Sequence, residues 1–364
     1  MNHNQLIEYF AQVIQEIFNK VGDATNLTDD KNAQKLITAV LKSLDTLGIK
    51  ANEVMPQELE KAYLEAVASA DKELAVQNVK VEKVEPTQIL KRKIHLAALK
   101  KLVNDTLVDF KTAIETAKLS AKTNIKSTLK RVKEKIAKNL IIGNPKKVLK
   151  REVAKAFADG GLTAFITEPD KNGRRRRLRL DDYASIVVNT KLRETHTQAA
   201  VNRYQESGVD LVQINSHSPS CHVCARLQGK VISLTGKHPG FKSIHDEGVT
   251  LTPFHPRCRC TSRPYVITYK SEEEIQKEKD KWSGWSPNID VRSKSQQAAY
   301  KKEQDIRRKT NDARKQYERM TAVLGKDKMP KTLGGFIRGK QSKSKTYLKL
   351  QQQYRQANRE LKVQ

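Results

Sequence analysis

Aromatic side chains are scarce in this sequence. Phe, Trp and Tyr make up 5% of 364 residues, with two tryptophans. That excludes a series of base-stacking platforms of the kind single-strand binders carry. No apolar run approaches the roughly 20 residues that span a bilayer. The opening stretch, MNHNQLIEYFAQVIQEIF, contains Glu8 and Glu16 and no basic segment. It reads as an amphipathic helix and not as a signal peptide. The expectation is a chain made in a reducing cytoplasm, with no membrane partner. Paired carboxylates, nucleophile–base sets and phosphate-binding glycine loops are lacking, so no catalytic residue is expected.

Cysteine is also rare, but its four copies are concentrated. Cys221 and Cys224 form one close pair, Cys258 and Cys260 another, and His255 precedes Cys258 by three residues. Two soft ligands separated by two residues reach one tetrahedral zinc ion from a tight turn, and a second pair completes the shell. Five candidates compete for four positions. Cys258 and Cys260 make a tighter bite than the usual zinc pair. Either all four thiolates bind with His255 as a neighbour, which we favour, or His255 and Cys258 bind and Cys260 is spare. Two disulfides, free thiols, or one nucleophilic Cys with His255 as base are the alternatives. Disulfides are disfavoured in a reducing compartment, and paired cysteines are not what a lone nucleophile needs.

What the chain has in abundance is charge. Hydrophobic residues are 37% and charged residues 30%, with a formal net charge of +28. Such an excess implies a polyanionic neighbour, most simply nucleic acid. The charge is uneven: about −5 over 1–90, about +17 over 91–180, about +4 over 181–270 and about +12 over 271–364.

Apolar spacing outlines the elements. Leu6, Phe10, Val13, Ile14 and Ile17 predict a helix over 4–20. Leu36, Val40, Leu44 and Leu47 predict a second, stopping at Gly48. A third should start at Pro56 and end near Val76. Residues 77–87 read as a linker. A long helix follows, with Val103, Leu107, Phe110, Ile114, Leu129, Val132, Ile136 and Leu140 on its apolar face. Gly143, Asn144 and Pro145 should end it. Its other face carries Lys118, Lys122, Lys126, Lys130, Lys133 and Lys135, either a solvated surface or a phosphate-contacting one. Another helix covers Lys146–Ala158. Beyond Gly160 the texture becomes strand, turn at Pro169–Gly173, strand, then a helix from Asp181 to Gly208. Arg174, Arg175, Arg176 and Arg177 sit at that hairpin's edge, where they deter aggregation or grip phosphate. Residues 211–215, Val231–Leu234 and Tyr265–Tyr269 supply three strands around the cysteines. Trp282 and Trp285 either anchor a partner or stack a base, or cap that module's core, the reading we favour. A basic helix from Ser295 to about Leu324 and a last helix over 342–362 complete the chain.

Residues 160–266 resemble the minor head proteins of tailed bacteriophages, the group typified by the phage Mu F protein, and more closely the branch called phage minor capsid protein 2. The matching pieces run in order. They are Gly160–Leu162–Thr163–Phe165, Gly173–Arg174–Arg175 with Leu180 and Tyr183, and Thr190. Asn202–Arg203 and Gly208–Val209–Asp210–Leu211–Val212 follow, then His217, Cys221 and Cys224. Gln228–Gly229–Lys230–Val231, Ser233 and Gly236 come next, and His255–Pro256 leading to Cys258–Arg259 and Pro264–Tyr265 closes the series. The branch commonly has tryptophan after the Gly-Arg-Arg turn and arginine before the threonine, where this chain has Arg176 or Arg177 and Asn189. It also often ends the ligand run with histidine where Cys260 stands, an exchange a metal ligand position tolerates. The C-terminal part resembles the helical tail of the same branch, whereas the N-terminal helices are too generic to match. The resemblance implies a structural head-morphogenesis protein of the virion, in the capsid interior or at the portal vertex, assembled in the host cytoplasm. Its partners would be the portal protein, other head proteins and viral double-stranded DNA.

The expected fold is mainly α with a central α+β zinc-stabilised module, in several domains. An acidic helical bundle covers 1–86, basic long helices 87–158, the Mu F-like module 159–270 and a basic helical tail 271–364. The expected function is that of a portal-associated structural protein binding DNA non-specifically. A zinc-containing nucleic-acid-binding protein, or a toxin-like enzyme domain carried in the head, is the alternative.

Overall fold

The computed structural model describes residues 1–82, 84–138, 144–169 and 173–360. Its helical part begins with α1 (His3–Asp23) and α2 (Asp30–Val76). A single turn, α3 (Pro86–Ile89), leads into α4 (Lys93–Ala137) and α5 (Pro145–Gly160). The hairpin β1 (Thr163–Ile166) and β2 (Arg177–Arg179) precedes α6 (Leu180–Glu206). The cysteine module contains β3 (Leu211–Ile214), α7 (His222–Ala225), β4 (Val231–Ser233) and β5 (Ser262–Pro264). The tail adds α8 (Glu272–Asp280), α9 (Lys294–Leu324), α10 (Leu333–Gln341) and α11 (Lys345–Glu360). The architecture is mainly helical, with two small antiparallel sheets, β1–β2 and β4–β3–β5.

Local breakers mislead in α2. Gly48 does not stop a helix and Pro56 does not start one; both lie inside a single helix of 47 residues. An interior proline costs on the order of 3 kcal/mol. The offset is a buried stripe running unbroken across both residues, including Leu44, Leu47, Ala51, Val54, Met55, Leu59 and Tyr63. Tertiary burial overrides local propensity here.

Other departures are smaller. The strand expected at Tyr265–Tyr269 lies earlier, as β5, and Ile267–Tyr269 is a 3₁₀ turn. The end of α2 takes the backbone groups there: Gln77 Nε2 donates to Pro264 O at 2.7 Å, and Val266 N donates to Gln77 Oε1 at 3.2 Å. The linker is thus tied to the cysteine module. The long helix ends at Ala137, and Asn144 caps α5 by accepting from Lys146 N and Lys147 N. The last helix starts at Lys345, and α10 precedes it. Leu140, Gly143, residues 170–172 of the hairpin turn and the end of the last helix beyond 360 lie outside the described residues.

Two buried clusters share their helices. The first takes side chains from α1, α2, α4, α5, β1 and α6, so it crosses both residue 86 and residue 158. The second gathers Ala70 and Leu74 of α2, Val201 and Tyr204 of α6, the three-stranded sheet, all four cysteines and Trp282. Trp282 Nε1 donates to Val231 O at 2.9 Å, so this tryptophan caps the module as expected.

Between the clusters the packing is polar. Tyr63 OH lies 2.8 Å from His95 Nδ1 and accepts from Asn202 Nδ2 at 2.8 Å. His95 Nε2 lies 3.0 Å from Glu206 Oε2, which also meets Arg92 at 3.2 Å. Tyr63 and His95 are both fully buried. Burial, eased only partly by Asn202, pushes the Tyr63 phenol far above its ordinary value. Arg203, 1% exposed, reaches Asp71 of α2, Glu206 of its own helix and the backbone oxygen of Glu82 in the linker.

Removing one member of a buried ion-pair cluster strands the others, at a cost of roughly 3–5 kcal/mol. Arg203→Met should therefore lower the unfolding free energy by about 3 kcal/mol. Lys122→Met, on an exposed face, should stay within about 0.5 kcal/mol of the parent. Urea unfolding of the two variants checks this, and equal midpoints would contradict the buried joint.

Candidate metal centre

Strand pairing brings the two cysteine loops together. β3 pairs on one side with β4 and on the other with β5, with Ile214 opposite Ser262. Asn215 N donates to Thr261 O at 2.9 Å, extending that ladder by one step. The chain leaving β3 and the chain entering β5 are therefore neighbours. One carries Cys221 and Cys224, the other His255, Cys258 and Cys260.

Each loop folds its sulfurs inward by local bonds. Cys221 is the N-cap of α7, and its Sγ accepts from Cys224 N at 3.3 Å. Gly229, at φ 74°, turns the chain back into β4. In the second loop Cys258 N donates to His255 O at 3.0 Å, and Cys260 N to Cys258 Sγ at 3.4 Å. Backbone oxygens of the loops are held from outside. Arg193 of α6 donates to Cys258 O, Arg259 to Pro219 O at 2.8 Å and Arg292 to Ser220 O at 3.1 Å.

The centre itself is compact. His255 Nε2 lies 3.1 Å from both Cys221 Sγ and Cys224 Sγ. Cys224 Sγ lies 3.7 Å from Cys258 Sγ. That spacing is far beyond a disulfide bond of about 2 Å. It matches the edge of about 3.8 Å in a tetrahedron with metal–sulfur bonds of about 2.3 Å. All four cysteines are free and buried. The structure thus brings together all five candidate ligands.

It also adds a sixth. Donor atoms of His217, Cys224 and Cys260 lie within 4.8 Å of one another, as do those of Cys221, Cys224 and His255. Cys224 belongs to both sets. The two imidazoles are placed alike: His217 Nδ1 is 3.2 Å from Pro219 O, and His255 Nδ1 is 2.8 Å from Pro256 O. A carbonyl at Nδ1 fixes the tautomer that leaves Nε2 as an acceptor, the usual support behind a metal-bound histidine. His217 Nε2 is buried without a hydrogen-bond partner. Sequence reasoning quoted His217 but did not count it as a ligand. Its position four residues before Cys221 was the available signal.

Among themselves the thiols divide. Donation from Cys224, helped by His255, holds Cys221 down to about 3. Cys258 is likewise held low, by Cys224 and then Cys260. Cys224 is driven up by Cys221 and its other sulfur neighbours. For Cys260, donation from Cys224 is outweighed by the Cys258 charge and burial, leaving it at about 11. The Cys221 sulfur raises His255 to about 9 against the effect of burial. Four crowded sulfurs cannot all ionise unaided; a divalent cation among them would allow it, because the thiolate is the ligand.

The residues singled out for nucleic acid are not at this centre. Lys122, Lys126 and Lys130 are exposed along one face of α4, and no acidic partner faces them among the described residues. Lys118 and Lys133, on the same helix, are ion-paired to Asp45 and Asp30 of α2. Arg174, Arg175, Arg176 and Arg177 are exposed where the chain enters β2.

A family model described as phage minor capsid protein 2 matches residues 10–354, so the likeness includes the N-terminal helices that had looked too generic. No curated protein and no solved structure matches the chain. Ellman's reagent should count four thiols in the denatured, unreduced chain and react far more slowly with the native one, where Cys224 and Cys258 are at most 1% exposed. A count below four would restore a disulfide.

Proposed function

This chain belongs to the phage minor capsid protein 2 family, and we propose that it sits at the portal, holds a structural zinc ion and binds packaged double-stranded DNA without sequence preference. Membership itself makes it a structural protein of the phage head, found in the virion among other head components. No helix among the described residues is long and apolar enough to cross a membrane.

The observation that carries the DNA reading is the set of exposed cations lacking acidic neighbours, on a chain of net charge +28. Paired surface charges, such as Lys118 and Lys133, have little left to offer a phosphate. Lys122, Lys126, Lys130, Arg175, Arg176 and Arg177 have no acidic partner among the described residues. Portal association rests on the resemblance of residues 160–266 to minor head proteins. The segments 1–86, 87–158, 159–270 and 271–364 are proposed as units of charge and role that share cores, not as pieces that fold alone.

For the metal we propose Cys221, Cys224, Cys258 and Cys260 as ligands to zinc, with His255 and His217 against them. The donor set fits: four buried soft sulfurs, with Cys224 and Cys258 3.7 Å apart as on the edge of a tetrahedral zinc site. When bound, the ion supplies a cross-link between the loops that flank β3.

Two measurements test these readings. Cobalt(II) should enter the apo chain at one equivalent with thiolate charge-transfer absorption. Cys224→Ser and Cys258→Ser should abolish it while His255→Ala and His217→Ala retain it. Loss in a histidine variant would put that imidazole in the ligand set. For DNA, two unrelated duplexes should bind equally, with log K falling against log salt at a slope of about −5 or steeper. A tenfold preference for one duplex would favour a sequence reader, and a flat salt response would end the DNA reading.

A further inference from the structure

A cleft of about 890 Å³ opens beside the Cys/His centre. Three stretches far apart in sequence wall it: the end of α5 with the β1–β2 hairpin, the two cysteine loops, and α9. Eleven Arg and Lys side chains line it against six Asp and Glu.

Most of these charges are used to build the walls. Arg319 pairs with Asp159, Arg314 with Asp182 and Arg179 with Glu318, which fastens α9 to the hairpin side. Arg259 and Arg307 share Glu303, and Arg308 pairs with Asp305. Of the six acids only Asp312 then has no paired cation among the described residues. Five cations are left without an acidic partner among the described residues: Arg175, Arg176, Arg177, Arg257 and Lys315. They come from all three walls and are exposed.

We propose that this cleft seats the phosphodiester backbone of a DNA strand, with Arg175, Arg176, Arg257 and Lys315 on its phosphates. The proposal rests on the DNA-binding reading above and gives it a location. A solvated surface intersperses both signs, whereas here the uncompensated charge of three segments meets in one concavity, where low-dielectric walls focus its field. Four of the five free cations are arginines, whose planar forks match phosphate oxygens. The cleft's volume is that of a small-ligand pocket, so it admits one phosphate ridge and not the width of a duplex. Tyr300 is the one aromatic ring besides Phe157 in its lining, and the Arg292 guanidinium lies 5.5 Å from the Tyr300 centroid. Without a row of free rings the cleft grips backbone and does not stack bases.

Arg257 supplies an independent sign. It sits at φ 65°, in the left-handed region, which is strained for a residue with a Cβ. Glycine would hold that turn without strain. The strain persists in the turn between His255 and Cys258, where Arg257 lines the cleft; such outliers cluster at ligand sites.

The test uses the full chain, one 30-mer sequence as duplex and as single strand, and a salt series. Replacing Arg175, Arg176, Arg257 and Lys315 together by glutamine should lower the salt slope by about 3 to 4 on the duplex and about 3 on the single strand. Lys315→Gln alone, on the exposed side of α9, should lower it by about 0.9 on the duplex and leave the unfolding midpoint unchanged. Lys122→Gln/Lys126→Gln/Lys130→Gln is the comparison. If the cleft variants keep the parental slope while the lysine variant loses it, the cleft assignment falls and DNA binding stands. If the parent binds neither form with salt dependence, both fall. Loss on both forms seats a phosphate ridge of either, and loss on the single strand alone seats a free strand.

Discussion

The crossing of α2, α4 and α6 governs the rest of the molecule, and its central contacts are polar. Tyr63, His95 and Asn202 are joined inside it, Glu206 Oε2 stands 3.0 Å from His95 Nε2, and Arg203 links Glu206 to Asp71 and the linker. Above it lies the helical core; below it lies the cysteine module. An apolar crossing could slide by a turn at little cost. A chain of buried donors and acceptors has one register, because each shift would leave groups unpaired in a low-dielectric setting. The arrangement superficially resembles a nucleophile–base set, yet Tyr63 and His95 have no exposed surface from which to act.

This crossing sets the frame for the cysteine loops. α6 runs from the hairpin through the crossing into the turn before β3, and Arg193 midway along it holds Cys258 O. The loops therefore meet a fixed wall on one side and each other on the other. Their own apolar content is thin. The ladder through β3 brings them together, and donor chemistry decides the last few ångströms. That division explains why the centre is packed with hydrogen-bonded backbone oxygens: each loop carbonyl that an arginine satisfies is one fewer reason for the loop to open to water.

Much of the local structure was legible because its signals are local. Cysteine spacing, the period of α1 and α4, the hairpin and the strand at 211–215 depend on neighbours in sequence. The continuity of α2 does not: Gly48 and Pro56 are breakers read alone, and only burial against α4 and α6 outweighs them. β5 was placed a few residues late because the hydrogen bonds that end it come from Gln77, far upstream. Asn202 and Arg203 stood in the family pattern without a role, since their partners lie on α2, the linker and α4. His217 was overlooked for a similar reason. A histidine four residues before a cysteine pair gains weight only when its Nε2 is found buried and unpartnered.

Charge needs the same distinction between number and arrangement. A net charge of +28 suits a polyanionic neighbour but does not say where one would lie. The lysine face of α4 looked uniform in sequence, but Asp45 and Asp30 of α2 neutralise two of its members. Around α9 the effect is larger, for five acids bind six arginines and so turn a repulsive face into an attachment. Electrostatic work on a phosphate backbone comes only from the remainder, since a cation already paired must give up its partner first. Unpaired cations stand, among other places, on the exposed face of α4 and along one concave strip, and only such a remainder, not the total, is available to a polyanion.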